Sequence, residues 1–91
     1  MYNKNDVVSV VTLTGEFVGK YNSETDQQYV IDDPRLLTQT QEGVAFIPAV
    51  CMTGIQQPNQ VVFNKSAVAF IIQTANEVEK EYRKATSGLI I

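Results

Sequence analysis

Histidine and tryptophan are both absent from this chain of 91 residues, and cysteine occurs once. Without histidine, the commonest general base near neutral pH and the commonest metal ligand are missing, and an enzyme is not expected. The lone thiol of Cys51 closes no internal disulfide, so the chain does not read as a small stapled secreted scaffold. A reducing cytoplasm fits it better. No apolar run reaches the length needed to cross a bilayer. The opening MYNKNDVVSVV places Asp6 ahead of its apolar stretch and has no small-residue cleavage site, so it is not read as a secretory signal. Positive charge is also scarce: seven lysines and arginines stand against ten acidic residues, for a net charge of -3. That balance argues against duplex DNA held by wholesale phosphate neutralisation. It is compatible with a local basic patch, or with unstacked bases read by stacking and edge contacts. Cofactor fingerprints are missing too. The glycines of GEFVG, residues 15–19, are followed by strand rather than helix, and no Walker A lysine arrangement occurs.

What is present points to β-structure in one domain. Residues 7–13 are β-branched almost throughout, which suits a strand and suits a helix poorly. Residues 16–22 put Phe17 and Tyr21 on one face and Glu16, Val18 and Lys20 on the other. Gly19 between them signals a sharp bend or the close approach of another backbone. Residues 22–26 form a polar turn. Residues 29–37 form a strand interrupted at Asp32-Asp33-Pro34, where an edge or bulge is expected. The run 44–52 is apolar at nearly every position, the mark of a strand covered on both faces or covered by a neighbouring subunit. Cys51 within it reads as a buried small hydrophobe. Residues 61–63 and 67–73 read as two further strands around the turn Asn64-Lys65-Ser66. Thr74 and Glu77 have capping-box spacing, which predicts a helix over residues 75–86. Its apolar stripe is Ala75, Val78, Tyr82 and Ala85, and Gly88 follows as a terminator.

The expected architecture is a small, strongly twisted, five-stranded barrel with a C-terminal helix. Residues 1–6 form an arm, 7–73 the barrel, 75–86 the helix and 87–91 a tail. Several strands are apolar on both faces, whereas so small a barrel has one interior. Assembly through edge strands would cover the spare surface and pair the open edges together. Asp26, Asp32 and Asp33 are the nearest approach to a metal-binding set, although solvated loop acids are the ordinary reading of such residues. No cofactor is expected.

Two segments carry a family resemblance. LTGEFVGKY, residues 13–21, resembles the first signature of the Sm-like (LSm) family, a hydrophobic-x-Gly turn opening a strand with a second glycine at its bend. VVFNKSAVAFI, residues 61–71, resembles the second signature: apolar strand, polar turn, apolar strand. The resemblance implies a bent Sm-like (SH3-like) barrel and a closed homo-oligomeric ring, pentamer to heptamer, the pentamer foremost. It further implies single-stranded RNA, often uridine-rich, bound near the pore by a phage-encoded factor in the cytoplasm of its bacterial host. Double-stranded DNA and membranes are not expected partners. Carried onto this chain, the RNA-contacting positions fall at Asp26, Tyr29, Asn64, Lys65 and Ser66. Tyr29 would stack a base, Asn64 bond its edge and Lys65 meet phosphate. Asn64-Lys65 stands where the family has Arg-Gly, and lysine lacks the planar bidentate fork of arginine. The competing readings are that Tyr29 packs on the sheet, that Asn64 forms a turn and that Lys65 is solvated. Lys20 and Arg35 read as solvated strand residues. The alternative function is a structural or adaptor ring that organises protein partners without nucleic acid.

Overall fold

The computed structural model describes residues 2–87. Strand β1 (Val7–Thr12) opens the fold, and four consecutive residues of it, Val7 to Val10, are buried. Burial on both faces explains why its sequence runs apolar instead of alternating. A two-residue turn leads to β2 (Gly15–Glu24), paired antiparallel with β1 from Val7–Lys20 to Thr12–Gly15. Strand β3 (Gln28–Thr40) returns along β2. Its first half also carries β5 (Gln60–Asn64) and its second half β4 (Gly43–Ile47). Strand β6 (Val68–Gln73) flanks β1 on the far side, and helix α1 (Asn76–Thr86) follows.

Two irregularities expected from the sequence bend the sheet. Asp33 takes φ +48 beside Pro34, and the β2–β3 register slips between Val18–Arg35 and Lys20–Asp32. Gly19 faces this slip. A Cβ there would overlap Ile31 Cγ2 and lie 3.1 Å from the Asp32 carbonyl oxygen, so the close backbone approach excludes a side chain.

The Sm-like (SH3-like) five-stranded barrel is not formed. Among the described residues, six strands make one open sheet in the order β4-β3-β2-β1-β6, with β5 beside β3. No ladder joins β5 to β6, because β5 is held on β3, β6 is held on β1, and a 3-10 turn at Lys65–Ala67 is all that connects them. The run 44–52 is likewise not one strand. Pro48 has no amide to give a ladder, β4 stops at Ile47, and Cys51 and Met52 lie exposed in an irregular segment. The burial expected of Cys51 is therefore overturned.

The curled sheet carries a core on each face. On one, Val8, Val10, Phe17, Tyr21 and Ile31 are buried together, and Phe63 from β5 packs against them along with Val68 and Ile71 from β6. On the other, Val7 and Val18 meet Tyr82 of α1, with Leu37 and Phe46 alongside. Tyr82 anchors the helix: it is fully buried, its hydroxyl donates to the Asp33 carbonyl at 2.6 Å, and Phe46 meets its ring edge-on at 6.1 Å. The expected capping box is absent. Thr74 is buried with its hydroxyl 2.8 Å from that of Ser9, so it satisfies a core polar group, and Ala75 occupies the cap position without a side-chain bond. Arg35, expected in solvent, is also buried, and its guanidinium donates to the Pro34 carbonyl at 3.0 Å. The tail and its terminator Gly88 lie outside the described residues, apart from Ser87.

Candidate functional site

The candidate residues come from two turns that the β3–β5 ladder brings side by side. Thr25 closes the β2–β3 turn: its amide donates to the Gln28 carbonyl at 2.9 Å and its hydroxyl accepts the Gln28 amide at 3.1 Å. Asp26 is exposed at the tip of this turn. Pairing of Gln28 with Asn64 and of Tyr29 with Phe63 carries the end of β5 to the same place. The 3-10 turn then docks through the Lys65 amide, which donates to the Gln27 carbonyl at 2.8 Å. Asp26, Gln27, Asn64, Lys65 and Ser66 consequently line one open groove of about 320 Å³. Tyr29 lies behind it, half-buried against the Val8–Ile31 core, with the Lys65 ammonium 4.8 Å from its ring centroid. Tyr29 therefore packs on the core of the sheet, as one of its two sequence readings has it, and an intramolecular cation lies over its ring.

Sequence reasoning missed the residue that governs this groove. Glu24 was part of a polar turn in that reading, but β2 continues through it. One of its carboxylate oxygens accepts the Lys65 ammonium at 2.6 Å and the other accepts the Tyr21 hydroxyl at 2.8 Å. No local pattern announces a partner 41 residues away. The hydrogen bond from Lys65, reinforced by that from Tyr21, holds the Glu24 carboxyl below the usual glutamate range. The same bond raises Lys65. Burial, then the neighbouring Glu24, pushes the Tyr21 phenol up to about 12, so it is a standing proton donor near neutrality. Lys65 is thus a cation already matched by Glu24, with Asp26 on the same groove.

The three aspartates do not converge. Asp32 accepts from Asn22 at 3.0 Å and from Gln60 at 2.9 Å, Asp33 pairs with Lys20 at 3.7 Å, and Asp26 stands apart at its turn. No group of three or more potential metal ligands occurs among the described residues. No helix among them is long and apolar enough to cross a membrane. No protein-family model and no curated protein matches the chain, so the Sm-like resemblance rests on its two short segments alone.

Proposed function

We propose that the chain is a non-catalytic, self-associating module that organises protein partners. The observation that carries this reading is the pair of open sheet edges. Among the described residues, β5 and β6 each lack a ladder partner on one side, and each exposes apolar side chains: Val62 at 48 % and Phe70 and Ile72 at 54 % each. An exposed apolar edge is a template for another strand. Head-to-tail pairing of β5 on one copy with β6 on the next would build a ring where the rotation between copies closes. Sedimentation equilibrium tests the reading. The chain is expected to sediment as a multiple of its monomer mass, and Phe70→Lys to shift it towards monomer with an unchanged circular dichroism spectrum. A monomeric wild-type chain would refute it.

A second reading, single-stranded RNA binding, is favoured by the convergence of Asp26, Asn64, Lys65 and Ser66 on one groove beside Tyr29. The Glu24–Lys65 pair weighs against it, because phosphate would have to compete with a carboxylate already in place. Fluorescence anisotropy with labelled uridine-rich and adenosine-rich RNAs separates the two readings. Saturable binding that weakens in Lys65→Ala and steepens with falling salt supports RNA. No binding at micromolar protein supports the adaptor.

A further inference from the structure

Helix α1 covers only part of the sheet face it lies on. Beside it, two contiguous cavities of about 420 and 330 Å³ share Val44 and Val78 and form one groove between the helix, the β3–β4 hairpin and β6. Its apolar lining includes Val18, Leu37, Val44, Phe46, Ile72 and Val78. Glu16 lies along the larger cavity and Glu42, Glu77 and Glu81 along the smaller, and no lysine or arginine lines either one. The ion pairs among the described residues are Lys20–Asp33, Lys65–Glu24 and Arg83–Glu79, so none of these four carboxylates is matched. Glu77 and Glu81 stand four apart on the helix and oppose each other.

We propose that this groove docks a basic amphipathic helical segment of a partner protein, with its apolar face on Val44 and Val78 and its cations among the four carboxylates. The proposal rests on the adaptor reading in one respect, that the chain takes protein partners; it does not require self-association. Charge complementarity selects this occupant. A second copy brings a net charge of -3 and is repelled overall, and residues 88–91, Gly-Leu-Ile-Ile, bring no cationic side chain, whereas a basic segment meets the carboxylates with opposite charge.

The test uses the full chain and two fluorescein-labelled peptides with one amphipathic heptad pattern, one of leucine and lysine, the other of leucine and glutamate. The leucine-lysine peptide is expected to bind saturably, and the leucine-glutamate peptide not to bind. Glu42→Lys/Glu81→Lys, which alters two exposed positions, is expected to weaken the first at least tenfold and to confer binding of the second. Val44→Asn keeps every carboxylate and is expected to weaken the first peptide severalfold. Equal binding by wild type and Val44→Asn would reduce the effect to general acidity and overturn the proposal, as would no binding at all. In nuclear magnetic resonance spectra of the free protein, contacts from the Ile90 or Ile91 methyls to Val44 or Val78 would assign the groove to the chain's own end. Groove shifts that move with protein concentration would assign it to a second copy. Either result also overturns the proposal, while sedimentation judges self-association separately.

Discussion

The face of the sheet bearing Val8, Val10 and Ile31 is sealed by the curl of the sheet itself, whereas the face bearing Val7 and Val18 is sealed only where Tyr82 sits. The same strand, β1, supplies both faces. On the first, residues from both ends of the sheet, Phe63 and Ile71, reach a common core, and bulges at Gly19 and Asp33 make that curl possible. On the second, an 11-residue helix contributes one fully buried side chain and leaves Phe70, Ile72 and Val44 exposed. Charge follows the same division. At the turn groove the lysine is neutralised within the chain, and along the helix groove the carboxylates are not. A lysine already matched within the chain has little electrostatic attraction left for an anionic partner, whereas unmatched carboxylates beside apolar atoms retain theirs for a cationic one.

The sharpest way to break this comparison is to unseal each face in turn. Tyr82→Ala should destabilise the fold by about 3–5 kcal/mol, the usual cost of a buried aromatic truncation. It should strip amide-exchange protection from α1 first. Ile31→Ala should cost about 2–5 kcal/mol and lower protection across β2 and β3 together. If both variants lose helix protection equally, the two faces are not separately sealed. Gly19→Ala should follow at about 1–3 kcal/mol, because the new methyl meets Ile31 and backbone at the bend. Denaturant midpoints measure all three.

Two smaller effects refine the picture. Tyr82→Phe keeps the ring and removes the bond to the Asp33 carbonyl, which should cost about 1 kcal/mol. Glu24→Gln gives the smallest effect, and its size depends on pH. The folded-state pKa of Glu24 lies below the ordinary value of 4.5, so its contribution is present above that value and is lost as pH falls through the folded pKa. Lys65 is raised, so its share holds at neutral pH and is lost only in strong base, above the ordinary 10.5. Wild type should therefore exceed Glu24→Gln in stability near neutrality, and the difference should shrink in acid. A constant difference would mean that the carboxylate's charge is not what matters.

Much of this was legible in the sequence, and the failures have a common origin. The β-branched run of β1, the inward Phe17 and Tyr21, the bend at Gly19 and the bulge at Asp33-Pro34 are local signals, and the structure carries each one. Glu79 and Arg83, four apart on the helix, are a local pair of the same kind and meet at 2.9 Å. What failed depended on distant partners. Whether a curled sheet closes is decided by whether β5 meets β6, which no local pattern encodes. Thr74 has the spacing of a helix cap, yet Ser9, 65 residues away, claims its hydroxyl. Cys51 was judged by its apolar neighbours, and Pro48 removed the strand that would have buried it. At the turn groove, four of the five RNA-contact candidates line one cavity with Tyr29 behind it, whereas Glu24, which sets the charge there, left no trace in the pattern.

The central claim, that copies assemble through the free edges of β5 and β6, is tested most directly by disulfide trapping in a Cys51→Ser background. Two chains are prepared, one carrying Val62→Cys on β5 and the other Phe70→Cys on β6, and they are mixed under mild oxidation. The account predicts a covalent pair containing one of each chain, in excess over any pair formed by either alone, and no such excess when Leu13→Cys, at a position 94 % exposed on the β1–β2 turn, replaces Phe70→Cys. Equal trapping at Phe70 and Leu13, or none at either, would contradict it.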